Sequence, residues 1–248
     1  MAYMLERYDK IGCGYANLRL PDERILGYIR RTIDEASSVL NVGAGTGSYE
    51  PSDLPTVAVE PSFEMIKQRH NRSNVVQARA EALPFGDGSF DVSLAVLTIH
   101  HWSNLSQGLE ECARSTRYRV SILTWDPDFT GFWLTQRYLP ELLELDRRIF
   151  PSIGKILRQL GNARVDVVPI PADCTDGFLG AYWQRPDAYL NDKIRSGMSS
   201  FARIENVEES IEHLRRDLHS GLWHRENRHL LSAESIDLGY RMITAEVN

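Results

Sequence analysis

The sequence predicts an α/β protein with a doubly wound, mostly parallel seven-stranded sheet and a helical lid inserted before the last strand. Three observations carry this expectation. Short apolar runs alternate with amphipathic helical stretches through the first half of the chain. The first of those runs meets a glycine-rich turn, VLNVGAGTGSYEP at 39–51. A long stretch of mixed aromatic and polar residues separates the sixth strand candidate from the seventh, too long for a structureless loop.

Each element has its own justification. Asp22 to Ala36 carries Ile25, Leu26, Ile29 and Ile33 at helical spacing after Pro21. Ser38–Val42 and Thr56–Val59 read as buried strands, and Ser62 as the cap of a helix from Phe63 to Arg69. A third strand is expected at Asn74–Gln77, a turn at Leu83–Gly88, a strand at Phe90–Leu97 and a helix at Leu105–Arg114. Tyr118–Thr124 is apolar throughout, as in a strand covered on both faces. Beyond it, helices are expected at Phe132–Phe150, Ile153–Leu160 and Val207–Leu222, with strands at Val165–Ile170 and Tyr240–Val247. Residues 1–248 read as one domain: an arm and helix over 1–37, a core over 38–126, and lid segments over 127–162 and 171–237.

Composition bounds the function. The 248 residues are 42% hydrophobic and 25% charged, with a net charge of −6, which does not suggest a general polyanion-binding surface. No apolar run approaches the roughly 20 residues of a membrane span, and the N-terminus is too polar for a signal peptide. Cys13, Cys112 and Cys174 are far apart and form no metal-binding spacing, so reduced thiols in a cytoplasmic protein and no metal are expected.

The glycines remove side chains where a ligand must approach backbone. Glu60 ends the second strand candidate, 17 residues after Gly43, at the sheet's carboxyl edge, where a carboxylate can accept both hydroxyls of a ribose. A dinucleotide would need GxGxxG and a following helix to hold its pyrophosphate. Here the third glycine, Gly47, comes one position early, and Pro51 and Pro55 leave almost no room for a helix. A ribose cofactor without phosphates does not need that helix.

The glycine turn, Val-Ala-Val-Glu-Pro-Ser at 57–62 with Met65, Ala-Glu-Ala-Leu-Pro-Phe at 80–85 and Gly-Ser-Phe-Asp at 88–91 together resemble the class I S-adenosylmethionine-dependent methyltransferases, in particular their type 11 small-molecule branch. The resemblance covers roughly residues 8 to 126. It implies a Rossmann-like sheet with S-adenosylmethionine as cofactor. Asn41, Gly43, Ala44, Gly45 and Gly47 would then surround its methionine portion, with Ser48–Glu50 close by. Glu60, Pro61 and Ser62 would hold the ribose and Met65 would pack on the adenine. Ala80, Glu81 and Ala82 would lie at the adenine edge, and Leu97 and Thr98 beneath the sulfonium. The chain departs from the family's pattern in having Asn41 where Asp is usual, Arg79 where Asp is common, a shortened helix after the glycines and no Leu-Lys-Pro-Gly turn before the fifth strand.

Tyr8, Tyr15 and Arg19 resemble an N-terminal arm that closes over the cofactor in relatives of this branch, with Arg19 facing the cofactor carboxylate. His100 matches the histidine of a His-Asp-Trp run that supplies the base in plant-type O-methyltransferases, and His101 is the alternative base. Trp102, Trp125, Asp126, Phe178, Tyr182, Trp183 and Arg185 interleave aromatic and polar groups and are the expected substrate wall. The expected protein is thus a cytoplasmic methyltransferase, monomeric or weakly dimeric. It would methylate oxygen or nitrogen of a small, planar or carboxylated metabolite and engage neither nucleic acid nor membrane. The alternatives are a non-catalytic S-adenosylmethionine-binding module and an NAD(P)-dependent oxidoreductase.

Overall fold

The computed structural model describes residues 19–247 apart from 71, 73, 205 and 206. Tyr8 and Tyr15 therefore lie outside the described residues. The first helix, α1 (Glu23–Thr32), is capped by Asp22, whose carboxylate accepts from the Arg24 amide at 3.0 Å. It buries Ile25, Leu26 and Ile29 against the sheet. It stops short of Ala36 because Glu35 takes a left-handed φ of 67°, which no helix interior permits.

Alternation continues with β1 (Val39–Val42), β2 (Thr56–Val59), α2 (Phe63–Lys67, capped by Ser62), β3 (Val75–Val76), β4 (Phe90–Val96), α3 (Leu105–Ser115, capped by Asn104) and β5 (Thr116–Trp125). The seven-stranded sheet has the order β3-β2-β1-β4-β5-β9-β6, where β6 is Ala163–Val167 and β9 is Tyr240–Glu246. All neighbours from β3 to β5 are parallel, and β9 runs antiparallel between β5 and β6. The order reverses between β1 and β4. Residues at the carboxyl ends of β1, β2 and β4 thus converge on one crevice, the usual ligand position in an open α/β sheet. Both faces are covered, which is why β1 and nearly all of β4 are buried.

The second half is more broken than its periodicity suggests. The expected helix over 132–150 divides into a π-type turn, Leu134–Tyr138, and α4 (Pro140–Ile149). Pro140 explains the division: it has no N–H to continue the ladder and drives Leu139 out of the helical region, to φ −133° and ψ 58°. Helix α5 (Ile153–Leu160) matches its expected span. The strand expected over 165–170 ends at Val167, and β7 (Ile170–Pro171) pairs with β8 (Ser235–Ile236) in a separate ribbon. Between them lie α6 (Asp192–Ser196), α7 (Glu208–His219) and α8 (Leu222–Glu226). Gly221, at φ 71°, separates α7 from α8, so the helix expected over 207–222 ends early. Among the described residues no helix is long and apolar enough to cross a membrane.

The aromatic residues of this part of the chain belong to the same buried cluster as α1 and one face of the sheet. Trp133 meets Trp223 edge-on at 5.1 Å and Tyr189 at 5.7 Å between ring centroids, and its Nε1–H donates to the Trp183 carbonyl at 2.8 Å. Trp183 is fully buried, and its own Nε1–H donates to the carbonyls of Ile170 and Pro171. Aromatic burial with every indole N–H of this pair satisfied is a packing arrangement, and it takes Trp183 away from any ligand surface.

Candidate functional site

Gly43, Gly45 and Gly47 all take positive φ, at 71°, 53° and 88°. Their reasons differ. A Cβ on Gly43 would lie 2.0 Å from the Thr98 hydroxyl, and one on Gly47 would lie 3.2 Å from the Arg69 guanidinium. A Cβ on Gly45 would meet no protein atom within 4 Å, so only its backbone conformation and the space beside it ask for glycine. The turn is fastened to the end of β2. The Gly43 and Ala44 amides donate to the Val59 carbonyl at 2.8 and 3.0 Å, and the Gly45 amide donates to Glu60 Oε2 at 2.8 Å. Glu60 Oε1 accepts from the Ser62 amide, also at 2.8 Å.

No helix follows the turn because the next three residues each hold another part of the molecule. The Ser48 hydroxyl donates to the Arg19 carbonyl at 2.9 Å, and the Tyr49 hydroxyl donates to Asp176 at 3.0 Å. Glu50 accepts from Asn41 Nδ2 at 3.1 Å and pairs with Arg69, whose Nη1 also donates to the Gly45 carbonyl at 3.1 Å. Asn41 thus has its amide hydrogens turned toward Glu50, which leaves its oxygen as the acceptor available to the crevice. Burial pushes the Glu60 carboxyl above the usual range, with the Ser62 and Gly45 amides and Arg69 opposing the shift.

These groups line a cavity of about 560 Å³. Its wall contains Arg19, Asn41, Gly43, Ala44 and Gly45 from the turn region, then Glu60, Pro61, Ser62 and Met65 from the end of β2 and α2. Ala80, Glu81, Leu97, Thr98, His100, His101 and Trp102 complete the expected set. Gly47 and Ala82 are not on its wall. The Glu81 carboxylate accepts from the Ser103 hydroxyl at 2.7 Å and the Asn104 amide at 3.0 Å, so it also fixes the turn that opens α3. Burial raises the Glu81 pKa, but these bonds outweigh it and hold the group below its ordinary value. Thr46, Arg79, Val96 and Ser103 also line the cavity. Sequence reasoning did not single them out as contacts, since each is brought there by a motif residue beside it.

A second, smaller cavity of about 90 Å³ shares Arg19, Leu97, His100 and His101 with the first. Leu97, the residue after β4, takes a left-handed conformation, φ 50°, which turns the chain into the junction of the two spaces. His100 stacks on Phe150 with centroids 3.9 Å apart. Burial drives the His100 pKa well down, helped by the neighbouring His101 imidazole and the charges of Arg203 and Arg19, and pushes His101 down to about 3. Both imidazoles are therefore neutral at pH 7. As proton acceptors they are weaker than an ordinary histidine.

Trp125 and Phe178 line the second cavity, and Trp102 lines the first. The rest of the expected substrate wall lies elsewhere. Arg185 donates to the carbonyls of Cys174 and Ala181 and stacks on Tyr182 at 4.8 Å, off both cavities. Asp126 accepts from the Asp128 amide at 3.1 Å and faces Arg241. Trp183 is in the buried cluster described above. Arg19 engages Asp176 bidentately, at 2.6 Å from Nε and 3.2 Å from Nη2, and so ties the start of the described chain to the 173–178 loop at the edge of both cavities. Among the described residues no cluster of three or more His, Cys, Asp and Glu could hold a metal ion.

Known proteins share this fold. The family model described as Methyltransferase domain matches residues 40–122, from β1 into β5. The crystal structure of a protein from Anabaena variabilis ATCC 29413, described as a methyltransferase from an antibiotic biosynthesis pathway, is 33% identical. The match has a TM-score of 0.85 and covers 92% of this chain and 98% of that one. The chain belongs to the class I S-adenosylmethionine-dependent methyltransferases. S-adenosylmethionine is thereby its cofactor. The uncharacterized methyltransferase YcgJ of Bacillus subtilis is 32% identical over 120 residues of this methyltransferase. The crystal structure of YcgJ has the same fold, with a TM-score of 0.54 at 19% identity, over 90% of this chain and 98% of that one. An uncharacterized protein of Methanocaldococcus jannaschii is 33% identical over 117 residues. The chain's match spans less than half the length of these two curated relatives, 44% of YcgJ and 45% of the Methanocaldococcus protein.

Proposed function

We propose that the protein transfers the methyl group of S-adenosylmethionine to oxygen or nitrogen of a small organic acceptor, with the large cavity holding the cofactor and the small one receiving the acceptor. The observation that carries this reading is the meeting of the two cavities at Leu97, His100 and His101. Methyl transfer is an in-line displacement at a sulfonium, so it needs close approach and alignment above all. Two adjoining spaces supply that without further catalytic groups.

The residues of the large cavity fit the cofactor chemically. Each Glu60 oxygen accepts one backbone N–H, at 2.8 Å, and keeps lone pairs for the two ribose hydroxyls. Met65, buried under the same wall, offers a polarizable thioether to the adenine. Glycine at 45 leaves open the space that the methionine portion needs. The Asn41 oxygen can accept from the cofactor ammonium, and Glu50, itself paired with Arg69, holds the Asn41 amide in that orientation. Arg19, bound to Asp176, would close the junction over both ligands rather than stand alone in solvent. Tyr8 and Tyr15 are assigned to the same arm from the sequence. The neutral His100 and His101 would accept a hydrogen bond from the acceptor and orient it. When bound, the cofactor supplies an electrophilic methyl group.

Residues 127–162 and 171–237 act in this reading as the lid and acceptor side of one domain. The protein works as a cytoplasmic monomer or weak dimer on a small molecule and not on nucleic acid, in keeping with its net charge of −6. Incubation with methyl-labelled S-adenosylmethionine and a panel of small phenols, amines and carboxylates tests it. Label should move to at least one phenol or amine. Transfer to RNA or to protein alone would contradict the acceptor class.

A further inference from the structure

We infer that the small cavity selects the acceptor by its head group, and that Asp146 binds the positively charged end of a small ring-bearing amine there. This rests on the methyltransferase reading above and narrows its acceptor. Three features of the cavity support it.

The first is its walls. Phe150 stacks on His100 and receives the edge of Trp125 at 5.5 Å, while Phe178 packs against Tyr240 at 4.8 Å. All five rings line the space. Aromatic faces favour a planar ring, and their negative π-surfaces favour a cation over an anion.

The second is the carboxylate. Asp146 is 6% exposed, on α4, and lines this cavity. Its side-chain partner is the Ser200 hydroxyl, at 3.0 and 3.1 Å from its two oxygens. One hydroxyl hydrogen cannot satisfy two carboxylate oxygens, so acceptor capacity remains. Among the described residues Asp146 closes no ion pair. Burial raises its pKa to about 6, and the Ser200 bond and the field of Arg203 oppose that rise. The group is thus mostly ionised at neutral pH in a place where an unpaired charge is unfavourable, and an arriving cation relieves it.

The third is what surrounds it. His100 and His101 are neutral and bring no competing cation. Among the described residues the guanidinium on the cavity wall is that of Arg19, held bidentately by Asp176, while Arg203 acts on Asp146 from off the wall and closes no ion pair with it. A carboxylated acceptor, which the sequence allowed, would bring its charge against Asp146.

The test uses three probes with one ring and different heads: benzylamine, benzyl alcohol and benzoate. Binding of each is followed by calorimetry with and without S-adenosylhomocysteine, on wild type, Asp146→Asn and Asp146→Glu. Benzylamine should bind at least about tenfold tighter than benzyl alcohol, as for a hydrogen bond to a charged group, and benzoate should not bind detectably. Asp146→Asn should erase the preference for benzylamine and leave S-adenosylhomocysteine affinity unchanged, while Asp146→Glu keeps the order. If Asp146→Asn does not fold by circular dichroism, the order in wild type and Asp146→Glu decides. Equal affinities, tighter benzoate, no binding of any probe, or unaltered benzylamine preference in Asp146→Asn would each overturn the proposal. Failure of S-adenosylhomocysteine to bind while the head-group order holds would count against the cofactor reading and not against this one.

Discussion

Gly43→Ala should weaken cofactor binding severely and destabilise the protein. Its φ of 71° already disfavours an L side chain, by about 1–2 kcal/mol. Its new methyl would also lie 2.0 Å from Thr98 Oγ1 and 2.9 Å from both Thr98 Cβ and Cγ2. Thr98 is buried, and its β-branched side chain has little freedom to turn away. Either the end of β4 or the glycine turn must shift, and overpacking of this kind typically adds about 1–3 kcal/mol. Thermal unfolding should show a midpoint lowered by on the order of 10 °C. Calorimetry should show S-adenosylhomocysteine affinity reduced by roughly 100-fold or more, since the displaced turn carries the Gly45 amide that orients Glu60. Thr98→Ala in the same chain removes two of the three offending atoms and should restore part of both losses. Gly45→Ala is the contrasting case. It carries a similar left-handed strain, at φ 53°, but meets no protein atom, so it should be destabilised less than Gly43→Ala yet bind cofactor poorly, because its methyl enters the space assigned to the ligand. Equal losses of stability in the two single variants would refute this distinction.

Glu60→Gln should weaken S-adenosylhomocysteine binding by roughly 10- to 100-fold, the range for losing hydrogen bonds to a charged group. Glutamine keeps one oxygen but turns an NH2 toward either the Gly45 or the Ser62 amide, setting donor against donor. The wild type should also show a pH dependence that the variant lacks. Burial lifts the Glu60 pKa above that of an exposed glutamate. The ionised carboxylate is the form that accepts both hydroxyls, so affinity should be full at high pH and fall as pH drops through that raised value. In Glu60→Gln the acidic limb should disappear. A variant that binds as tightly as wild type across the range would remove Glu60 from the cofactor site.

How much of this was legible in the sequence follows from whether the signal is local. The first five strands are apolar runs bounded by turn residues, and their order along the chain is enough to bring Gly43, Glu60 and Leu97 to one edge of the sheet. The glycine turn announces itself for the same reason: three positive φ values within five residues demand glycine, whatever surrounds them. The missing helix after it was visible in Pro51 and Pro55, but its purpose was not. The bonds from Ser48 to Arg19, Tyr49 to Asp176 and Glu50 to Arg69 join segments distant in the chain.

The small cavity was least legible. Asp146 sits in PELLELDRRI among other acids and arginines, where one charge of an amphipathic helix looks like any other. Its partner Ser200 is 54 residues away, and the rings beside it come from five separate segments. The interleaving of polar and aromatic residues over 181–186 suggested a ligand wall, yet the same pattern serves a buried core when indole N–H groups find backbone carbonyls, as Trp183 does. Pro140 was the one local sign that the long helix of this region would break, and the break lets α4 turn Asp146 toward the small cavity.

The central claim is that the large cavity binds S-adenosylmethionine through the glycine turn and Glu60. Calorimetric titration of the wild-type chain with S-adenosylhomocysteine tests it most directly. One site per chain with micromolar affinity is the predicted result, and the absence of any binding at millimolar ligand would contradict it.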